Sequence, residues 1–194
     1  MSELLVVRHA ESTWNAERRW AGWGDPPLSA EGETQVRGAR AELAELGLQA
    51  VVSSDLLRAR QTAEIIAEDL GLGPPLLLSA LRERDTGSFT GRTSEEIAAS
   101  WPELFERWQA GRPIDPPGSE AREWFLERIL AGLAEAAGHA ASTALVVTHQ
   151  GVIRLIQRHA GRPVGSLRNL EGLWVRVDGS TISAGQSFSR QAVR

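Results

Sequence analysis

The chain has 194 residues, a formal net charge of −4 and no cysteine. This length fits one domain, so we expect a single domain over residues 1–194. The acidic balance and the lack of a long basic run argue against a nucleic-acid partner. Without cysteine, the chain has no disulfide, no thiolate metal ligand and no cysteine nucleophile.

Neither a signal peptide nor a membrane span is predicted. The N-terminus enters an apolar strand without a basic segment before it, and no apolar stretch approaches the ~20 residues of a membrane helix. The lack of disulfides suits a reducing compartment. We therefore expect a soluble, cytoplasmic protein with no membrane partner.

The first predicted element is a buried strand over residues 4–7, because this short apolar run is bounded by polar residues. The elements that follow are, in chain order, a helix from Ser29 to Gly47, a strand at 50–53, a helix from Ser54 or Asp55 to about Leu70, a strand at 74–78, a helical segment at 94–110 interrupted at Pro102, a helix from Ser119 to Gly138, a strand at 143–148, a helix from about Val152 to Gly161, and a hairpin of 174–177 with 181–183.

Strands and helices alternate along the chain, which predicts an α/β fold with a mainly parallel sheet. We expect a three-layer sandwich with helices on both faces and a C-terminal antiparallel hairpin. Residues 187–194 have little to bury, and we expect them to form a mobile tail. The tryptophans at 14, 20 and 23 and the segment 94–120 are expected either to pack together or to line a cleft.

Unusual polar residues follow four of the predicted strands. Arg8 and His9 follow the first, Arg58 lies just beyond the second, Glu83 follows the third, and His149 ends the fourth. Parallel strands joined by right-handed crossovers place their carboxyl ends at one edge of the sheet, where ligands bind. The sequence therefore predicts that these residues meet in one cleft.

The residue types in this cluster suit an anionic ligand. Guanidinium groups offer planar, bidentate donors to phosphate oxygens, and an imidazole beside them can attack the ligand or transfer a proton. Zinc is the alternative, since His and Glu are good zinc ligands. Two arginines would repel a divalent cation, however, and no His-x-x-Glu or His-Glu-x-x-His spacing occurs. Each residue also has a structural alternative, such as a surface charge or a helix cap.

Four blocks of the sequence resemble the signature of the histidine phosphatase superfamily, in its phosphoglycerate mutase-like branch. The blocks are residues 5–15, 53–62, 81–91 and 147–154, in the same order as in the family. Together they cover nearly the whole chain. The first block departs from the usual Arg-His-Gly-Glu in having Ala10 after the histidine.

The resemblance implies a role for each polar residue of the cluster. His9 would be the nucleophile, forming a phosphohistidine that water hydrolyses. Arg8, Arg58 and His149 would form the phosphate pocket and stabilise charge on the transferring group. Glu83 would be the general acid and then the base, with Glu11 and Asp85 as nearby competitors. The residues expected to border the phosphate are Ser12, Asn15, Gly22 and Gln150.

Three departures separate this chain from the mutases of the superfamily. They usually carry Thr-Gly-Trp, Tyr and Asn where this chain has Ala21-Gly22-Trp23, Thr86 and Gly151. These changes favour a metal-independent phosphomonoesterase that needs no cofactor, acts on a small phosphorylated metabolite and releases inorganic phosphate. A 2,3-bisphosphoglycerate-dependent phosphoglycerate mutase is the alternative. A non-catalytic module that binds a phosphoryl ligand is a third hypothesis.

Overall fold

A mixed sheet runs through the centre of the computed structural model, which describes residues 2–139, 142–165, 167–178 and 181–189. Within these ranges six strands pair in the order β3-β2-β4-β1-β5-β6. The strands are β1 (Ser2–Arg8), β2 (Ala50–Ser53), β3 (Leu76–Leu77), β4 (Thr143–Thr148), β5 (Gly172–Asp178) and β6 (Thr181–Phe188). The first four run parallel, β5 is antiparallel to β1, and β6 is antiparallel to β5. The predicted α/β class, the mainly parallel sheet and the C-terminal hairpin are confirmed.

Helices cover both faces of this sheet. The α-helices within the described ranges are α1 (Thr13–Ala16), α2 (Ala30–Arg37), α3 (Arg40–Ala44), α4 (Leu57–Leu70), α5 (Ser94–Ser100), α6 (Pro102–Gln109), α7 (Arg122–His139) and α8 (Gln150–His159). Successive strand side chains point to opposite faces, so Leu4 and Val6 pack with α7 and α8, whereas Leu5 and Val7 pack with α2, α3 and α4. β1 is therefore buried on both sides, and its end lies deep in the molecule.

The segment with α5 and α6 forms a smaller cluster of its own. Phe89 and Ile97 are fully buried there, and the indole of Trp20 meets the ring of Phe89 edge to face, with centroids 5.5 Å apart. The break at Pro102 lies between the two helices, as predicted. Of the two roles expected for Trp20, the structure shows packing.

Two predicted helix starts were wrong because the expected caps bind elsewhere. The helix after β2 begins at Leu57, since the Ser54 hydroxyl contacts His149 and the Asp55 carboxylate pairs with Arg82. The helix expected from Ser119 begins at Arg122, because the residues before it form a turn in which the Ser119 N–H donates to Pro116 O.

Two further boundaries also differ from the predictions. The helix expected between Ser29 and Gly47 is split, because α2 ends at Arg37 and is followed by Gly38, a residue unfavourable inside a helix. Ser187 and Phe188 belong to β6 and are not a mobile tail, since Phe188 packs against the core on the α2–α4 side. Residues 190–194 and the hairpin positions 179 and 180 lie outside the described residues. Across the described ranges, no helix is both long and apolar enough to cross a membrane.

Candidate active site

The imidazole of His9 lies just beyond β1, with only 4% of the residue exposed. Its backbone N–H donates to Thr148 O at 2.8 Å, which extends the sheet by one residue, and its carbonyl accepts from Asn169 Nδ2 at 2.8 Å. Its Nδ1 lies 2.6 Å from Ala10 O, and its Nε2 lies 3.2 Å from Arg58 Nε. Main chain and side chain are therefore both fixed.

These two ring contacts define the protonation state of His9. The carbonyl of Ala10 can only accept, so Nδ1 carries the proton; the guanidinium of Arg58 can only donate, so Nε2 is unprotonated and its lone pair accepts this hydrogen bond. Burial and the charges of Arg58 and Arg8 lower the pKa of His9 well below its ordinary value. His9 is thus a neutral imidazole whose Nε2 carries no proton.

Arg58 joins the first turn of α4 to the segment that follows α1. Its guanidinium is 1% exposed and donates to Gly22 O at 3.0 Å and Gly24 O at 2.8 Å, in addition to His9. Burial lowers its pKa to about 10, which still leaves it charged at neutral pH. Its position is fixed before any ligand binds.

His149 faces His9 across the site, with ring centroids 5.2 Å apart. Its Nε2 lies 2.9 Å from Ser54 Oγ, whereas its buried Nδ1 has no hydrogen-bond partner in the described part of the chain. Burial, together with Arg58 and His9, lowers the pKa of His149 well below its ordinary value. A fully buried ring nitrogen without a partner is uncommon, and it indicates a place for a ligand atom.

Arg8 is the last residue of β1 and has a similar unpaired atom. Its Nη1 donates to Leu167 O at 2.9 Å, while its buried Nε has no partner among the described residues. Burial lowers the pKa of Arg8, and the nearby carboxylate of Glu83 acts in the opposite direction. The guanidinium is therefore held through Nη1, and its Nε is available to donate to a ligand.

Both carboxylate oxygens of Glu83 accept backbone hydrogen bonds, and one of these comes from the start of α8. Oε1 accepts from Arg84 N at 2.8 Å and Oε2 accepts from Gly151 N at 2.9 Å. A Cβ at position 151 would overlap the carboxylate, lying 2.9 Å from Cδ of Glu83, so Glu83 can keep this position only while residue 151 is glycine. The two competing carboxylates are engaged elsewhere, Glu11 with Ser29 Oγ and Asp85 with Gly87 N.

Sequence reasoning missed Arg128, which holds the turn that carries Glu83. From α7 its guanidinium donates to the carbonyls of residues 80, 82 and 83 at 2.7–2.9 Å and pairs with both oxygens of Glu120. Trp23 Nε1 donates to the same carbonyl of Glu83 at 2.8 Å, and its ring lies 5.2 Å from the guanidinium carbon of Arg82. Trp23 is thus a wall of the site.

The remaining residues expected near the phosphate have structural contacts. The hydroxyl of Ser12 accepts from Asn15 N and Asn15 Oδ1 accepts from Ser12 N, which forms the capping box of α1. Gly22 is buried and contributes its carbonyl to Arg58. Gln150 is the first residue of α8 and half-buried. Sequence reasoning also missed Ser54, the partner of His149.

The fold and the site together define an α/β protein with a buried polar cluster at the carboxyl edge of its sheet. Two imidazoles and two guanidinium groups meet there, and two of these side chains keep a buried nitrogen without a partner in the described ranges. Three or more His, Asp or Glu side chains placed to hold a metal ion do not occur among the described residues. Phosphate, a tetrahedral dianion, matches this set of donors.

Comparison with known proteins identifies the family. The sequence model of the histidine phosphatase superfamily (branch 1) matches residues 4–177, and the chain belongs to this superfamily. The Mycobacterium tuberculosis bifunctional protein Rv2228c is 37% identical over 161 residues, covering 82% of this chain and 44% of its own. The Methylobacterium radiotolerans 2,3-bisphosphoglycerate-dependent phosphoglycerate mutase is 34% identical, covering 66% and 62%. This chain thus spans less than two thirds of either relative.

Solved structures with the same fold include proteins named for both activities. The mycobacterial glucosyl-3-phosphoglycerate phosphatase Rv2419c, in complex with VO3, is 27% identical with a TM-score of 0.81 over 99% of this chain and 100% of its own. The phosphoglycerate mutase of Thermus thermophilus is 34% identical with a TM-score of 0.71 over 97% and 99%. Members of this superfamily are phosphatases or mutases, and this chain resembles both.

Proposed function

We propose that the protein is a metal-independent phosphomonoesterase that transfers the phosphoryl group of a small phosphorylated metabolite first to His9 and then to water. The observation that carries this proposal is the unprotonated Nε2 of His9, which accepts a hydrogen bond from Arg58 Nε on a ring that faces His149 and its unpaired Nδ1. A nucleophile that is neutral because of burial stays reactive at neutral pH.

In the first step, Arg58 Nε turns its hydrogen bond from His9 Nε2 to a phosphoryl oxygen, and the lone pair of Nε2 forms a P–N bond while the P–O bond to the leaving alcohol breaks. Arg8, Arg58 and His149 hold the phosphoryl oxygens, and their donors stabilise the charge that spreads over these oxygens. If the Ser54 hydroxyl donates its hydrogen bond to His149 Nε2, that nitrogen is unprotonated. The ring proton then lies on Nδ1, the nitrogen without a partner. Glu83, as a carboxylic acid, gives its proton to the leaving oxygen.

In the second step, water attacks the phosphorus of the phosphohistidine. The carboxylate of Glu83 takes a proton from this water, the P–N bond breaks and the electron pair returns to His9 Nε2. Inorganic phosphate leaves the site, and both residues regain their starting forms. One carboxyl group thus acts as acid and then as base.

A 2,3-bisphosphoglycerate-dependent phosphoglycerate mutase is the second candidate. The similarity to proteins named as such mutases favours it, whereas the similarity to a named phosphatase supports the first. The two activities share the phosphohistidine and differ in whether water or a second substrate receives the phosphoryl group. In this chain, Gly151 replaces the asparagine side chain usual in the mutases, and its N–H instead holds Glu83.

The test is hydrolysis of p-nitrophenyl phosphate in excess chelator by the wild type, by His9→Ala and by His139→Ala, a control at an exposed histidine at the end of α7. We expect turnover in the wild type and the control and none in His9→Ala. Activity retained by His9→Ala would refute the assigned nucleophile. Conversion of 3-phosphoglycerate to 2-phosphoglycerate with a bisphosphoglycerate primer and little hydrolysis would show a mutase. Vanadate binding without turnover of any phosphoester would show a non-catalytic module.

A further inference from the structure

Arg154 has a buried donor that the proposed mechanism does not use. It lies on α8, is half-buried, and its Nε has no hydrogen-bond partner among the described residues. Arg8 and Arg60 also have an unpaired buried Nε, but Arg8 donates through Nη1 to Leu167 O and Arg60 pairs with Glu64 at 3.7 Å. Within the described ranges, Arg154 makes neither a hydrogen bond nor an ion pair.

This lack of partners contrasts with the other partly buried arginines near the site. Arg58 donates to two backbone carbonyls, Arg84 to the carbonyls of Ile114 and Glu120, and Arg128 to three carbonyls and a carboxylate. A buried donor left unpaired destabilises the fold. An arginine that the fold leaves unsatisfied is therefore a candidate for contact with a ligand.

The position of Arg154 places this donor next to the phosphate pocket. It follows Gly151, whose N–H holds Glu83, by three residues, so both lie on the same face of α8. Arg154 lies within electrostatic reach of Glu83 and Arg8. A group bound by Arg154 would be part of the leaving alcohol, because Glu83 is the proposed proton donor to that alcohol.

We propose that Arg154 binds a second anionic group, a carboxylate or a phosphate, at the far end of the leaving alcohol, so that the preferred substrates are phosphomonoesters with a second negative charge. This inference rests on the proposed phosphatase function and names the substrate class for the same site. A guanidinium suits either group, because both offer two oxygens to its planar donors.

Three phosphomonoesters with the same three-carbon chain distinguish the alternatives. The far end is a hydroxyl in 3-hydroxypropyl phosphate, a carboxylate in 3-phosphooxypropanoate and a second phosphate in propane-1,3-diyl bisphosphate. We expect wild-type kcat/KM to be about 10- to 100-fold higher for at least one anionic member than for the hydroxyl member, as for one charge-assisted hydrogen bond. The better anionic member identifies the group that Arg154 binds.

Arg154→Gln should abolish this preference without changing kcat/KM for the hydroxyl member. Arg158→Gln is the matched control, because it removes the same charge from an exposed position on the same helix. It should retain the preference, and Arg154→Lys, which keeps the charge, should retain part of it. Thermal unfolding of each variant shows that the comparison is made between folded proteins.

Three results would overturn the inference. They are equal wild-type kcat/KM for the three esters, an equal loss on all three in Arg154→Gln, and an equal loss of preference in the Arg154 and Arg158 variants. The second result would arise if Arg154 had only a structural role, for example by turning to donate to the unpaired amide oxygen of Gln157. Arg154→Gln would then also be less stable than the wild type. Absence of His9-dependent hydrolysis of any ester would instead refute the proposed function itself.

Discussion

Replacing Gly151 with alanine should displace the carboxylate of Glu83 and leave the phosphate pocket in place. The new Cβ would lie 2.9 Å from Cδ and 3.1 Å from Oε2 of Glu83, whereas carbon atoms in contact are separated by about 3.5–4.0 Å. The carboxylate must therefore retreat by about 1 Å. This movement breaks its 2.9 Å hydrogen bond to the N–H of residue 151.

The stability of Gly151→Ala should change little. Loss of a hydrogen bond to a charged group costs about 1.5–3 kcal/mol, and alanine in place of glycine stabilises a helix by about 1 kcal/mol, so the net loss is roughly 0.5–2 kcal/mol. The displaced atoms are the end of a flexible side chain and not backbone, so the fold can accommodate the methyl group.

The activity of Gly151→Ala should fall far more than its stability. Loss of a positioned general acid lowers kcat by about 10²- to 10⁴-fold on an alkyl phosphate, whose alkoxide needs a proton to leave. Hydrolysis of p-nitrophenyl phosphate should fall less, because nitrophenolate leaves without one. Inhibition by inorganic phosphate should be unchanged, since Arg8, Arg58 and His149 are untouched.

The assay compares kcat on an alkyl and an aryl phosphate for the wild type, Gly151→Ala and Gly138→Ala. Gly138 is the matched control, because it also lies in a helix but a Cβ there would have no neighbour within 4 Å. An unchanged kcat on the alkyl phosphate in folded Gly151→Ala would refute the assignment of Glu83 as the proton donor. An equal loss on both esters would refute the argument from the leaving group.

Three more predictions follow from the same contacts. His9 is neutral in the folded protein and titrates near pH 6.5 in the unfolded chain, so the unfolding free energy should fall by up to about 1.4 kcal/mol per pH unit below that pH. In urea titrations at several pH values, the unfolding free energy of His9→Gln should fall less steeply than that of the wild type. Arg128→Leu removes the ion-pair partner of Glu120 and should lower the unfolding free energy by about 3–5 kcal/mol. If urea unfolding shows that this free energy falls by less than about 1 kcal/mol, Arg128 does not stabilise the turn that carries Glu83. Gly87→Ala combines a φ of +53° with a Cβ 2.6 Å from Ser119 N, so its Tm should fall by several degrees in calorimetry, and an unchanged Tm would contradict that packing.

The meeting of the site residues could be expected from the sequence because it depends on topology. Once β1, β2 and β4 are parallel, the residues after their carboxyl ends share an edge whatever the strand order. The structure brings His9 and His149 together in this way, with Arg58 entering from the helix after β2. This part of the site follows from the direction of the strands alone.

The supporting contacts could not be expected, because they join positions far apart in sequence. Asn169 donates to the carbonyl of a residue 160 positions earlier, and Arg128 reaches the turn at 80–83 across 45–48 positions. No local pattern specifies such pairs. The prediction of Ser54 as a helix cap was wrong for a related reason. A serine hydroxyl can cap a helix or bind a buried imidazole, and the local sequence does not distinguish the two.

The guanidinium of Arg58 connects the segment at Gly22 and Gly24 with the reactive nitrogen of His9 through three donors. A molecule that displaces this segment must therefore also shift the guanidinium that contacts His9 Nε2. If the proposed mechanism holds, an ester that moves this segment should bind and yet be hydrolysed slowly, because the contact between Arg58 and His9 would be disturbed.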